Sequence, residues 1–357
     1  MKKINKSRNW YVYAGSYTAA TEVGIHVLLF DGEEGSLTRV GDLSGVENPS
    51  YLALDHERSR LFAVSETEEG SVVSYAIDGK TRQLQEMNRQ STNGASPCYV
   101  SLDPTGSWLF AVNYMGGSVC SFPIKADGTV GPLADSVHHT GSSVRSDRQE
   151  AAHPHSVVTM PESPYRLVAD LGTDRVYVYR LNLTDGKWVR TGEIATDPGA
   201  GPRHIAFHPN APFAYVANEL NSTITVYTCD RNAGSLSPIQ TASALPSKFT
   251  GDNTCADIHV SPSGRYLYAS NRGHDSIASF RLLEDGTLAP IGHTSSMGKT
   301  PRNFAIVPDG KHLLVANQDS DTIVVMAIGE NGVPTPTGEV YEMPRPVCLQ
   351  LLRDDRR

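Results

Sequence analysis

The chain has 357 residues, a formal net charge of −8 and 39% hydrophobic residues, which is the composition of a globular, core-forming protein. No basic block stands out, so nucleic acid is not expected as a partner. The start, MKKINKSRNW, lacks the apolar segment of a secretory signal, and no run approaches the roughly 18 apolar residues of a membrane span. We therefore expect a cytoplasmic protein with no membrane partner.

The five cysteines are scattered and odd in number, which indicates neither a disulfide framework nor a structural zinc site.

In chain order, the sequence repeats one pattern: a short strand, a turn with Pro or Gly, a second strand with a marker residue at its end, and a third strand. The marker residue recurs at intervals of 46 to 57 residues, at Gly15, Ser65, Asn113, Asp170, Asn218, Asn271 and Asn317. Alternating segments such as RVYVYRL and TITVYTC favour strands over helices. Seven units of this length predict an all-β fold, a seven-bladed β-propeller with four strands per blade.

The two ends of the chain each carry part of a repeat. Residues 10–18 read as a second strand with no first strand before it, and residues 345–352 read as a first strand with nothing after it. We expect the two to pair in one blade and close the ring, which removes an open sheet edge. Residues 10–352 are thus interpreted as a single propeller domain, between an N-terminal tail of residues 1–9 that we expect to be flexible and a C-terminal tail of residues 353–357.

Residues equidistant from the turn of a hairpin lie at the same end of that hairpin. This rule places several polar pairs opposite their turns, namely Arg203 with Glu219, Asp257 with Arg272, His155 with Asp170, and Arg302 with Gln318. In a propeller these ends gather on one face around the central channel, which we call the mouth face. The two longest intervals contain HHTGSSVRSDRQEAAHPH and SALPSKFTGDNTCADIH, and both enter a first strand on this face. Insertions on one face of a repeat protein usually build its binding side.

The mouth face therefore carries more potential cations than acids, although the whole chain is acidic. Such a cluster predicts a small anionic ligand. The candidate residues are His153, His155, Arg203, His204, Glu219, Asp257, His259, Arg272 and Arg302. His208 is five residues beyond Arg203, about 17 Å away at ~3.3 Å per strand residue, so we assign it to the turn at the far end.

Several of these residues could serve the fold instead of a ligand. Asp257 lies where an acid could tie blades together through backbone hydrogen bonds. Arg203 and Glu219 could form an exposed salt bridge that contributes little stability. The recurring asparagines are interpreted as caps of strand ends. Zinc at His153 and His155 is a weaker alternative because their spacing matches no strong metal signature, and no Gly-x-Ser-x-Gly or phosphate-loop sequence occurs. We expect no cofactor.

The motifs GAGPRHIAFHP, YVANELNS, ADIHVSPSGRYLYASNR, TPRNFAI and RQEAAHPHSV resemble those of the lactonase family, which includes cytosolic 6-phosphogluconolactonases of the seven-bladed propeller type and fungal carboxy-cis,cis-muconate lactonizing enzymes. The resemblance extends over nearly the whole chain, from YVYAGSYT to VCLQLL. It implies the propeller fold, a cofactor-free lactonase or lactonizing reaction, and a site on the mouth face. The residues discussed for the lactonizing branch match His155, Arg203, Glu219 and Arg272.

The leading hypothesis is hydrolysis of a small anionic sugar lactone, 6-phosphogluconolactone to 6-phosphogluconate, and a muconate-type lactonizing reaction or a non-enzymatic binding propeller are the alternatives. Arg203 or Arg272 would stabilise the oxyanion while the other holds the substrate's anionic group. His155 or Glu219 would activate water, with His155 favoured because imidazole titrates near neutrality. His153, His204, Asp257, His259 and Arg302 would bind substrate. The lactone itself and the oligomeric state, monomer or weak dimer, are left open.

Overall fold

Residues 8–355, which are those that the computed structural model describes, form seven four-stranded antiparallel sheets around a central channel. In six sheets the four strands follow one another along the chain from the channel outwards, and in the seventh the C-terminal strand is innermost and is followed outwards by the first three strands. The innermost strands of neighbouring sheets contact one another in a closed ring. We number the blades 1 to 7, beginning with the blade that contains the N-terminal strand. This confirms the predicted seven-bladed propeller.

Each blade has four strands at increasing distance from the channel, and equivalent strands run in order from blade 1 to blade 7. The innermost strands are Pro346–Arg353, Leu52–Asp55, Pro97–Leu102, Pro154–Thr159, Pro202–Phe207, Thr254–Val260 and Pro301–Ile306. The second strands are Asn9–Ser16, Arg60–Ser65, Trp108–Asn113, Tyr165–Asp170, Phe213–Asn218, Tyr266–Arg272 and His312–Asn317. The third strands are Val23–Asp31, Ser71–Ile77, Ser118–Pro123, Arg175–Leu181, Thr223–Asp230, Ser276–Leu282 and Thr322–Ile328. The outer strands are Ser36–Ser44, Leu84–Ser91, Asp135–His138, Trp188–Ala195, Ser235–Ser243, Leu288–Ser295 and Pro334–Glu342.

A short 3-10 helix, Gln318–Ser320, follows the second strand of blade 7. Within residues 8–355 there is no helix of the length and apolar character that crossing a membrane requires.

Blade 1 joins the two ends of the chain. Its innermost strand, Pro346–Arg353, pairs antiparallel with Asn9–Ser16, so that Tyr13 lies opposite Gln350. The predicted closure of the ring is therefore confirmed. Each of the two strands includes one residue that we had placed in a tail, and residues 1–7 and 356–357 of the expected tails lie outside the described residues.

The hydrophobic core lies between the blades. Buried apolar side chains form one cluster at each of the seven blade-to-blade contacts in the described ring. Between blades 1 and 2, for example, Tyr13 and Val27 pack with Leu61 and Tyr75. Burying a side chain of this kind contributes about 1.5–3 kcal/mol. Because the apolar faces of the blades pack against one another, polar side chains line the channel.

The recurring asparagines have the structural role that we predicted. Each is buried and donates from Nδ2 to the hydroxyl group of the residue five positions later, in the pairs Asn113–Ser118, Asn218–Thr223, Asn271–Ser276 and Asn317–Thr322. These bonds hold the turn between the second and third strands. Their repetition in four blades explains why the residue recurs in the sequence.

A backbone irregularity in the innermost strands positions the functional side chains. In blades 3, 4, 5 and 7 the register with the second strand shifts at one residue directly after a proline. The residue left out of the ladder is Cys98, His155, Arg203 or Arg302, respectively. A bulge of this kind re-aims a side chain, and all four line the channel at the mouth face.

Candidate active site

A cavity of about 400 Å³ opens at the mouth face of the channel, and every blade contributes to its wall. The wall is formed by Tyr17, Glu66, Cys98, Tyr114, Arg148, His155, Glu219, Thr254, Arg272 and Arg302. Charged side chains and an imidazole thus converge in one pocket. Such convergence is expected of an enzyme rather than of a docking module.

Glu219, which directly follows the second strand of blade 5, is the centre of the charge arrangement. Its Oε1 lies 2.7 Å from Arg148 Nη2 and 3.1 Å from Arg272 Nη2, and its Oε2 lies 3.0 Å from Arg203 Nε. The Arg203 and Glu219 side chains are only 2% and 4% exposed, so the ion pair is buried and differs in this from the exposed pair that we had considered. One carboxylate therefore positions three guanidinium groups.

The charges around Glu219 determine the protonation of this group. Burial by itself would raise the pKa of Glu219, but Arg272, Arg203 and Arg148 together outweigh it and lower the pKa to about 2. Burial lowers the pKa of Arg272 to about 10, so Arg272 remains a cation at neutral pH. A carboxylate with so low a pKa is a poor general base at pH 7. Glu219 is suited to orienting its arginines.

Arg148 reaches Glu219 from the long insertion between blades 3 and 4. The insertion is anchored by Gln149, which donates from Nε2 to the Leu171 carbonyl at 2.8 Å, and by His139, whose Nδ1 lies 2.7 Å from Asp170 Oδ2. Arg148 also donates to the Tyr114 hydroxyl at 3.3 Å. The expectation that the insertions build the binding side agrees with this placement, because the second insertion supplies Thr254 to the same cavity.

His155 lies buried in the cavity wall. Its Nδ1 is 3.7 Å from Cys98 Sγ, and its ring meets Tyr114 and His204 edge to face at centroid distances of 5.5 and 5.4 Å. Burial, reinforced by the positive charge of Arg203, lowers the pKa of His155 well below 6.5. The imidazole is therefore neutral at pH 7 and can accept a proton.

Arg203 lies beneath the cavity and lines a narrow compartment that continues from it. Its Nη1 donates to the Ala256 carbonyl at 2.6 Å and lies 3.2 Å from His204 Nε2. His204 Nδ1 is 2.8 Å from Asp257 Oδ1, and burial together with Arg203 lowers the pKa of His204 to about 4. From this network we assign the neutral tautomer in which Nδ1–H donates to Asp257 and Nε2 accepts from Arg203. A continuous chain then runs from Asp257 through His204 and Arg203 to Glu219.

Asp257 ties three blades together. Besides His204 of blade 5, it accepts from His259 Nε2 at 2.9 Å within blade 6, and from Asn303 Nδ2 and the Phe304 amide of blade 7. Its side chain is 2% exposed. We considered that Asp257 either ties blades together or binds the ligand, and the contacts in the structure are those of a residue that ties blades together.

Four of the residues that we expected to bind substrate are not in the cavity wall, namely His153, His204, Asp257 and His259. His153 is buried and uses both ring nitrogens, with Nδ1 3.0 Å from the Tyr114 carbonyl oxygen and Nε2 3.1 Å from Glu150. Asp257 and His259 instead line a separate pocket of about 300 Å³ deeper along the innermost strands. His204 lines both this pocket and the narrow compartment beneath the cavity. Arg302, by contrast, lies in the cavity wall. His208 is 3.0 Å from the Gly264 carbonyl in a turn of blade 6, which agrees with its assignment to the far end.

Sequence reasoning did not single out Tyr17, Glu66, Cys98, Tyr114, Arg148 and Thr254. Two of them, Glu66 and Tyr114, could have been found from the repeat pattern of the sequence. Glu66 and Tyr114 occupy the same repeat position as Glu219 and Arg272, directly after the marker residue of the second strand, and comparing that position in every blade would have found both. Arg148 has no equivalent in the other blades because it belongs to an insertion.

The fold and the cavity define a class: a seven-bladed propeller with an arginine-rich pocket at one end of its channel. The family described as Lactonase, 7-bladed beta-propeller, matches residues 11–351, and the chain belongs to this family. This confirms the resemblance found in the motifs.

Individual relatives agree with this assignment. The chain is 36% identical to the 6-phosphogluconolactonase of Bacillus subtilis (strain 168) over 294 residues, which are 82% of this chain and 83% of the relative. It is 33% identical to the 6-phosphogluconolactonase of Formosa agariphila over 305 residues, 83% of this chain and 86% of the relative. The solved structure of the periplasmic gluconolactonase of Pseudomonas aeruginosa superposes with a TM-score of 0.91 at 33% identity, covering 96% of this chain and 99% of that one.

Proposed function

We propose that this sugar-lactone hydrolase acts on 6-phosphogluconolactone and releases 6-phosphogluconate. The names of the relatives in Bacillus subtilis and Formosa agariphila support this substrate. The observation that carries the proposal is the pairing, in one cavity, of a neutral imidazole with a cluster of arginines. The imidazole can activate water, and the arginines can stabilise negative charge.

The reaction needs two kinds of assistance. Water adds to the lactone carbonyl carbon and loses a proton, which places negative charge on the carbonyl oxygen. The bond from this carbon to the ring oxygen then breaks, and the ring oxygen takes up a proton to become a hydroxyl group. The carboxylic acid product ionises at neutral pH, so one proton is released overall. The site must therefore hold a base close to an oxyanion donor.

His155 serves as the base in this proposal. Its neutral form accepts the proton of the attacking water and returns it to the ring oxygen. Glu219 has a pKa of about 2 and both of its oxygens are occupied by guanidinium groups, so we assign it to orientation. The choice between these two groups, which the residue types alone left open, is thus made on their surroundings.

Arg272 is assigned to the oxyanion. It lines the cavity, its Nη2 is held by Glu219 and by the Cys255 carbonyl, and its Nη1 makes no hydrogen bond within the described part of the chain. Nη1 is therefore available to a developing negative charge. Arg203 becomes a positioning residue that fixes Glu219 from below. His204 and Asp257 act behind it as further support.

The charge of the cavity supports an anionic substrate. Arg148, Arg272 and Arg302 line it and Arg203 lies directly beneath it, against the carboxylates Glu66 and Glu219, so four positive charges face two negative ones while His155 is neutral. A net positive cavity in a chain of charge −8 favours a phosphorylated lactone. We assign Arg148 to the phosphate group, while Arg302, whose Nη2 donates to the Tyr17 hydroxyl, adds to the positive charge of the cavity.

We also infer a cytoplasmic location. The five cysteines are all free and buried, and disulfides are rare in reducing compartments. Fractionation of cells producing the full chain, with a periplasmic marker enzyme as control, tests this placement.

The function is tested with purified protein and a panel of lactones. Acid release from 6-phosphogluconolactone, glucono-δ-lactone and a carboxylated muconolactone is followed with a pH indicator, and spontaneous hydrolysis is subtracted. We expect kcat/KM to be highest for the phosphorylated sugar lactone. Arg272→Ala is expected to lower it by about 10²- to 10³-fold, the usual effect of removing an oxyanion donor. His208→Ala, at the far end of the channel, should keep wild-type activity. Turnover of the muconolactone alone, or equal losses in both variants, would contradict the proposal.

A further inference from the structure

Glu66 is the second carboxylate of the cavity wall, and it lies across the ring from Glu219, in blade 2 rather than blade 5. Its backbone is fixed on both sides, because its amide donates to the Asn48 carbonyl at 3.1 Å and its carbonyl accepts from Asn48 Nδ2 at 3.3 Å. The position of Glu66 is therefore set by the fold and does not depend on a ligand.

The two oxygens of Glu66 have different surroundings. Oε2 accepts from the Ser50 hydroxyl and from the Tyr17 hydroxyl, the latter at 2.8 Å. Oε1 has no hydrogen-bond partner in the described residues, although the side chain lines both the cavity and the compartment below it. In Glu219, by contrast, guanidinium groups occupy both oxygens. Of the two carboxylates in the described wall, only Glu66 thus presents an unoccupied acceptor.

The Tyr17 hydroxyl lies between Glu66 and Arg302 and bonds to both. The Tyr17 hydroxyl donates to Glu66 and accepts from Arg302 Nη2 at 2.8 Å, so no direct ion pair with Arg302 uses the carboxylate. Ionised Glu66 is an acceptor only. It suits hydroxyl groups and repels the carboxylates of a substrate.

We propose that Glu66 is a specificity-determining residue, whose Oε1 accepts hydrogen bonds from the hydroxyl groups of a polyhydroxylated lactone ring. This inference rests on the proposed lactonase function and deepens it. The bound sugar would direct its hydroxyl groups towards blades 1 and 2 and its anionic group towards Arg148. Lactones without ring hydroxyl groups leave Glu66 unpaired, and a site built to bind a hydroxyl group discriminates against such analogues.

The test compares two lactones that share the reacting ester but differ in hydroxyl groups, glucono-δ-lactone and δ-valerolactone. For Glu66→Ala we expect kcat/KM for glucono-δ-lactone to fall about 10- to 100-fold, mainly through KM, because a hydrogen bond to a charged group is lost. Turnover of δ-valerolactone should stay within about threefold. Glu66→Gln keeps an acceptor oxygen and should recover part of the loss. The exposed Glu68, on the same turn, supplies the matched control Glu68→Ala, which should change neither value.

Each other result overturns the inference. Equal losses on both lactones would place Glu66 in the chemical step, and no loss on either would remove it from the site. If Glu66→Ala does not fold, as judged by thermal unfolding, the near-isosteric Glu66→Gln decides the question, because it too must affect glucono-δ-lactone more than δ-valerolactone. A wild-type protein that hydrolyses no lactone would overturn the proposed function, and the specificity role with it.

Discussion

Glu219 and Asp257 are both carboxylates buried in the central channel, yet their partners differ in kind. Glu219, at the mouth face, is surrounded by three guanidinium groups that stay charged at any physiological pH. Asp257, deeper in the channel, accepts from two imidazoles, an amide group and two backbone N–H groups. The first arrangement leaves positive charge for a ligand. The second occupies the carboxylate with donors of the protein itself and joins three blades.

Under the proposed function, one repeated fold separates the catalytic site from the residues that join the blades. A buried carboxylate needs several donors wherever it lies. At the mouth face these donors come partly from an insertion, through Arg148, and are shared with the cavity. In the deeper part of the channel the donors come from neighbouring innermost strands, and they are occupied by hydrogen bonds within the protein. The chain from Asp257 through His204 to Arg203 links the two regions.

The largest effect is expected at the mouth face, from His155→Gln. Losing a general base should lower kcat/KM by about 10²- to 10⁴-fold. In the wild type, kcat/KM should be constant between pH 6 and 8 and should fall only well below pH 6.5, because burial and the nearby Arg203 lower the pKa of His155. As the pH falls through this lowered pKa, His155 takes up a proton and can no longer accept one from water. Steady-state rates across this pH range check the prediction, and an inflection at 6.5 or an unchanged rate in the variant would exclude His155 as the base.

Asp257→Asn should act mainly on stability. The new amide places N–H groups against donors such as Asn303 Nδ2, and we expect the free energy of unfolding to fall by about 1–3 kcal/mol. Activity should fall less than tenfold. Urea unfolding measures the first effect and lactone turnover the second, and a large loss of activity at unchanged stability would reverse our distinction between the two regions.

The stability cost of Asp257→Asn should also depend on pH. Burial would lower the pKa of His259, but Asp257 outweighs it and raises this pKa, so the pair's contribution is complete below about pH 6.5 and is lost as the pH rises through the raised pKa. Burial would raise the pKa of Asp257, but the histidines outweigh it and lower this pKa, so the contribution is lost again in strong acid. The destabilisation should therefore be greatest between about pH 4 and 6.5.

Salt should have the smallest effect and should act only on the mouth face. Raising the ionic strength from about 0.02 to 0.5 M shortens the reach of the arginine cluster, so KM for 6-phosphogluconolactone should rise several-fold while kcat changes little. Glucono-δ-lactone, which is uncharged, is the matched control and its KM should not respond. A KM that is independent of salt for both lactones would show that the cluster does not attract the anionic group.

Much of this arrangement could be predicted from local features. The hairpin rule brought Arg203 and Glu219 to one end because the register of a hairpin follows from its turn, which is a local property. The same rule assigned His208 to the other end. It could not reveal that His153 turns away to Tyr114 and Glu150, since the direction of a side chain next to an insertion depends on where that insertion folds. The repeat position of Glu66 can be read from the sequence, but its place across the cavity from Glu219 cannot, because blades 2 and 5 meet only across the closed ring.

The sequence by itself determined the seven blades, the closure through the two chain ends, the family and the face that carries the candidate site. These follow from the period of the repeat, the alternation of apolar residues and long motifs, all of which are written along the chain. Only the tertiary structure decided which residues form the cavity and in which protonation state. The low pKa values of His155 and Glu219 arise from burial and from arginines that come from other blades and an insertion. Electrostatic interactions depend on distance through space and on exclusion of water, and neither is fixed until the ring has closed.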